Sequence, residues 1–90
     1  MAARARQFWA SEPARGPAGI FRVVVSRVAA TPGAGGQRDV YTASLVRKGD
    51  DGEEPVTADF WQHSAPPHDA DKLAFRERAR RAAAQADAAG

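Results

Sequence analysis

The sequence predicts an α+β fold: a small three-stranded antiparallel meander with one C-terminal α-helix packed on it. Three observations carry this expectation. The β-branched run IFRVVVSRVAA, residues 20–30, is almost continuously apolar, as in a strand covered on both faces. Two later stretches, 38–48 and 56–63, alternate apolar and polar residues and are separated by turn-forming residues. Residues 69–88 place Phe75, Ala79, Ala82, Ala83 and Ala86 on one stripe at about 100° per residue.

Each element follows from its local chemistry. Residues 1–19 mix Ala, Arg, Pro and Gly around one aromatic pair, Phe8-Trp9. They read as an irregular N-terminal arm with one short strand or helical turn near Arg6 to Ser11. The aromatic pair is expected to dock on the sheet or on a partner, since apolar pairs seldom stay solvated. In the first strand Phe21, Val23 and Val25 face one way, and Ile20, Val24 and Val28 the other. Thr31 to Gln37, TPGAGGQ, is a Pro/Gly loop. In the second strand Tyr41, Ala43 and Leu45 lie opposite Val40, Thr42, Ser44 and Val46. Gly49 to Pro55, GDDGEEP, is an acidic turn. The third strand sets Val56, Ala58 and Phe60 opposite Thr57, Asp59 and Trp61. Residues 64–68 are a proline-interrupted linker. Asp69 or Asp71 can cap the helix that follows, because a short carboxylate accepts bonds from free first-turn amides. Leu73 falls nearly opposite Phe75. The loops hold no crossover, so the strands are expected to pair as sequential hairpins within one domain.

Composition limits what such a domain can bury. The chain has 90 residues, of which 21 are alanine, while Leu, Ile, Val and Phe together number only 14. That lies below the roughly 20% level at which disorder becomes common, although net charge is a modest +2. A core this thin favours self-association or a bound partner. There is no cysteine, which excludes disulfides, a thiol nucleophile and cysteine-ligated zinc, and fits a reducing compartment. No stretch is long and apolar enough to span a bilayer. Arg4 and Arg6 are followed by no apolar segment of the kind a secretory signal needs, so a cytoplasmic location is expected. Arginine outnumbers lysine 11 to 2 and asparagine is absent, the coding bias expected of a GC-rich bacterium or its phage.

Charge is unevenly spread. Residues 1–38 carry +5, residues 39–71 carry −6 and residues 72–90 carry +3. The segments can attract one another within the fold or serve as patches for partners.

Catalytic patterns are weak. His63 and His68 could meet Asp59, Asp69 and Asp71 at a metal, but their spacing matches no familiar ligand set. Ser11, Ser26, Ser44 and Ser64 lack a nucleophile-elbow context. The glycine run 33–36 has no following Lys-Ser/Thr and precedes a strand. The acidic turn is too short for a calcium loop. No catalytic residue, metal, cofactor or small-molecule substrate is therefore expected.

Two non-enzymatic classes remain. The preferred reading is a small protein-binding module, a regulator or inhibitor that covers a surface of a larger protein. Trp9, Tyr41, Trp61, Arg76 and Arg80 are its expected binding residues, because Trp, Tyr and Arg dominate interface hot spots. The alternative is a nucleic-acid-binding domain using the Arg-rich arm and the helix arginines at 76, 78, 80 and 81. In element order alone, three strands then a helix resembles small DNA-binding domains that lay a sheet in the major groove, such as the arm-binding domains of phage integrases. The acidic turn at Asp50, Asp51, Glu53 and Glu54 opposes a phosphate backbone on the same face. It tips the balance towards protein.

Overall fold

The computed structural model describes residues 5–29 and 39–85. One antiparallel sheet carries one C-terminal helix on one of its faces. The sheet is built from β1 (Ala5–Ala10), β2 (Ala14–Gly16), β3 (Gly19–Val28), β4 (Val40–Gly49), β5 (Gly52–Pro55) and β6 (Trp61–His63), and α1 spans Asp69–Ala84. The α+β class, the antiparallel pairing and the terminal helix are as expected, but the described residues form six strands rather than three. Thr31–Gln37 lies outside the described residues, as does the predicted end of the helix beyond Gln85.

The long central strands agree with the alternation in the sequence. β3 and β4 pair from Phe21↔Arg47 to Val28↔Val40. Phe21, Val23, Val25, Tyr41, Ala43 and Leu45 are buried on the face that meets the helix. Their alternate neighbours are only half-buried.

The edges account for the extra strands. Each flank of the β3–β4 pair is one broken row. β1 and β2 both pair with β3, and β5 and β6 both pair with β4. Residues 5–19 are thus largely ladder, not an irregular arm. A bulge at Phe8 shifts the register between Gln7↔Ser26 and Trp9↔Val25. An extra residue reverses which side chain points where. Trp9 consequently faces the helix, and Phe8 meets Tyr41 edge-on at 5.1 Å between ring centroids.

The break between β1 and β2 falls at Ser11, Glu12 and Pro13, where proline has no amide to donate. Ser11 bridges it. Its amide donates to the Val23 carbonyl and its Oγ accepts from the Val23 amide, both at 2.9 Å. Ser11 is only 3% exposed. Ser11→Ala would leave the buried Val23 amide without a partner. The expected cost is about 1–3 kcal/mol, seen as a lower denaturant midpoint at unchanged slope.

The other edge breaks differently. The Val56 amide donates to the Leu45 carbonyl at 2.8 Å and the Phe60 amide to the Ala43 carbonyl at 2.9 Å. Residues 57–59 therefore arch out of the sheet, so the predicted continuous strand over 56–63 is wrong. The arch lets Phe60 and Trp61 both pack on the helix side, which strict alternation forbids. Both rings meet Phe75 at steep angles, with centroids 5.7 and 5.4 Å away.

The helix begins after His68, and neither Asp69 nor Asp71 is its N-cap residue. The Asp71 carboxylate instead reaches back to accept from the His68 amide at 3.0 Å. Phe75, Ala79 and Ala83 are its buried face, while Leu73 is 63% exposed. Small side chains on this stripe permit close approach. A Cβ on Gly16 would sit 2.4 Å from the Ala83 carbonyl oxygen. The Ala18 amide donates to that same oxygen at 2.9 Å, satisfying a carbonyl at the helix end. The C-terminal half of α1 is thus held on the β2–β3 turn.

Candidate interaction groove

Placing the helix end on the β2–β3 side has a consequence at the β4–β5 side. An open groove of about 950 Å³ runs between α1 and that flank of the sheet. Phe21, Leu45, Phe60 and Phe75 form its floor. Val56, 47% exposed, stands on its sheet-side wall. Arg47 of β4 and Arg78 and Arg81 of α1 line it, with Glu77 the one carboxylate among them.

Local sequence explains each position. Arg47 continues the inward alternation of Tyr41, Ala43 and Leu45, so it points to the helix side where the helix no longer covers the sheet. Arg78 and Arg81 are three residues apart, neighbours on one flank of the helix. The Arg78 guanidinium lies over the Phe60 ring, 3.9 Å from its centroid, a cation–π contact that holds the charge above the apolar floor. Arg81 is 3.5 Å from the Glu77 carboxylate. The groove therefore joins apolar area to an excess of positive charge.

The five residues expected to bind do not form one surface. Trp9 is half-buried on the β1 side of the helix, its ring 6.2 Å from Phe75. Lys72 Nζ and the Arg76 guanidinium lie over that ring at 5.7 and 5.5 Å. Arg76 also pairs with Glu12 at 3.1 Å. A backbone hydrogen bond, then Arg76, holds the Glu12 carboxyl below its ordinary range. Arg76 thus clamps the N-terminal arm to the helix. Tyr41, 9% exposed, belongs to the core. Trp61 lies across the helix from Trp9 and stacks on His63 at 5.9 Å. Arg80 is on the solvent side, 3.6 Å from Glu77.

No known protein family, curated protein or solved structure matches the chain. Among the described residues, no group of three or more His, Asp or Glu side chains is placed to hold a metal ion. Within the same residues no helix is long and apolar enough to cross a membrane.

Arg47, Arg78, Arg81 and Val56 carry the groove; Arg78 and Arg81 belong to the helix arginines expected to contact nucleic acid, whereas Arg47 and Val56 are not among the expected binding residues. Arg47 did leave a signal. An arginine at the fourth inward position of an otherwise apolar row is a charge where a core residue is due.

Proposed function

We propose that the chain is a small non-enzymatic protein-binding module, a regulator or inhibitor that takes an acidic, amphipathic segment of a larger protein into the groove between α1 and the β4–β5 flank. One observation carries this reading: a groove floored by the edge of the core, with half-buried Phe60 above the buried Phe21, Leu45 and Phe75 and with exposed Val56 on its wall, lies beside three arginines. Such a floor accepts apolar anchors. Guanidinium forks pair with carboxylates in two-bond geometry. The volume stands at the upper end of small-molecule sites, about 300–1,000 Å³, and the groove is open along its length, which suits a peptide better than an enclosed ligand. The hairpin that bears Arg47 continues into Asp50, Asp51, Glu53 and Glu54; these oppose a nucleic-acid backbone, which carries a charge at every step along the flank, whereas a short segment can set its few carboxylates beside Arg47, Arg78 and Arg81 alone.

The test is fluorescence anisotropy of the full chain with a short labelled peptide of alternating glutamates and leucines, run beside random duplex and single-stranded DNA at two salt concentrations. Peptide binding is expected. Arg47→Glu and Arg78→Glu should each weaken it about tenfold to a hundredfold, since a charged hydrogen bond contributes about 1.5–3 kcal/mol. Arg80→Glu, on the solvent side, should leave it within about twofold. Tighter binding to DNA, with a salt slope of about −0.9 per neutralised phosphate, would replace this reading with the nucleic-acid one.

A further inference from the structure

Of the arginines on β3, β4 and α1, all but two are paired with a carboxylate. Arg22 pairs with Glu53, Arg27 with Asp39 and Arg76 with Glu12, while Arg80 and Arg81 share Glu77. Arg47 and Arg78 have no such partner among the described residues, and both line the groove. Arg6 and Arg15 also lack one, but they stand on β1 and β2, the flank away from the groove.

Carboxylates are nevertheless close by. Glu54 is the register partner of Arg47, which puts a cross-strand ion pair within reach. Its carboxylate lies by Gly49 instead, with Oε1 3.8 Å from where a Cβ on that glycine would stand. Glu77, the one carboxylate of the lining, is spent on Arg80 and Arg81.

The two arginines are held by contacts that leave their N–H groups uncommitted within the chain. Arg47 lies along the backbone of Gly19, where a Cβ would meet its Nε at 3.3 Å and its Nη2 at 3.9 Å. Gly19 has a φ of +128°, a conformation that favours glycine and so keeps this space clear. Arg78 lies over the face of Phe60, where the ring's π electrons attract the charge without taking a hydrogen bond. Each guanidinium has five donors in its plane.

We propose, resting on the groove reading above, that Arg47 and Arg78 form a seat for a phosphomonoester, so that the segment taken into the groove carries a phosphorylated serine or threonine among its apolar anchors.

Charge and shape select this group over a carboxylate. A glutamate brings one charge and two oxygens, which a single guanidinium fork satisfies. A phosphomonoester brings a charge of about −1.5 to −2 and three terminal oxygens, a match for two guanidiniums that no carboxylate of the chain neutralises. Arg81, offset by Glu77, borders the seat. Phosphorylation of the partner segment then switches its capture on, because the unmodified segment lacks the group that engages both arginines at once.

The test is fluorescence anisotropy of the full chain with three versions of the glutamate–leucine peptide, alike except for phosphoserine, glutamate or serine at the central acidic position. Phosphoserine should bind about tenfold or more tighter than glutamate, the effect of one further charged hydrogen bond, and serine should bind weakest. The phosphoserine advantage should grow between about pH 5 and pH 7.5, because the phosphate loses its second proton near pH 6. Arg47→Gln and Arg78→Gln should each bring the ratio of phosphoserine to glutamate affinity close to one, and the second repeats the test should the first not fold. Arg6→Gln should leave the ratio unchanged. Equal binding of the phosphoserine and glutamate peptides would overturn the phosphate seat and leave the groove standing. So would an advantage that survives both glutamine variants. Failure of all three peptides to bind would remove the groove and the seat together. Duplex DNA that displaces the phosphoserine peptide better than unlabelled phosphoserine peptide does would assign the two arginines to a nucleic-acid backbone and overturn the inference.

Discussion

Phe75→Ala is expected to abolish or nearly abolish the cooperative unfolding of this domain. Phe75 is 4% exposed and makes ring contacts with Trp9, Phe60 and Trp61. Its side chain is the only bulky one on the buried stripe of α1, whose other buried members are Ala79 and Ala83. Truncation removes the anchor of the helix and strands three aromatic rings around a cavity. Phe→Ala in a core costs about 3–5 kcal/mol. A domain of this length holds on the order of 5–10 kcal/mol in all, and each kcal/mol moves the melting temperature by about 4–8 °C. The melt followed by far-ultraviolet circular dichroism should therefore fall by at least about 12 °C. Leu73→Ala, two residues away but exposed, should stay within about 0.5 kcal/mol of the parent. Equal effects from the two would mean that the helix does not pack through its Phe75 face.

Gly16→Ala should be the next most damaging change, although it adds a single methyl group at an exposed position. That methyl would stand 2.4 Å from the Ala83 oxygen, 2.7 Å from its carbonyl carbon and 3.2 Å from its Cβ. Two of these are backbone atoms, which cannot swing aside. The helix end must lift from β2, and the bond from the Ala18 amide to the Ala83 oxygen opens with it. Overpacking of this kind costs about 1–3 kcal/mol, and Gly16→Val should exceed Gly16→Ala. A denaturant midpoint reads the cost, and faster amide exchange at Ala82 to Gln85 places it at the helix end. Parent-like stability in Gly16→Val would show that the contact is looser than described.

Both effects depend on contacts between distant parts of the chain, and the same divide separates what was legible in the sequence from what was not. β3, β4 and the Phe75–Ala79–Ala83 stripe follow from periodicity, because side-chain direction in a strand or helix is fixed by local geometry. The flanking rows do not. Ser11 reads as a polar residue before a proline until Val23 is placed beside it. The bulge at Phe8 and the arch over 57–59 serve to bring Trp9, Phe60 and Trp61 onto Phe75, a need that arises only once the helix is docked. Residue type alone does not separate a ring that completes a thin core from one left for a partner. Tyr41 went to the core for that reason, and Arg76 to a clamp on Trp9 and Glu12. The groove exists because Gly16 and Ala83 draw the helix to one side, which no local pattern records.

The most direct test of the interaction groove is a map of backbone amide shifts in the isotopically labelled full chain, titrated with the glutamate–leucine peptide. The groove reading predicts saturable shifts confined to residues around Leu45, Arg47, Val56, Phe60, Arg78 and Arg81, lost in Arg78→Glu while that variant melts like the parent. Shifts concentrated on the Trp9–Arg76 flank or on Val24 and Ser44, or no saturable shifts at all, would contradict it.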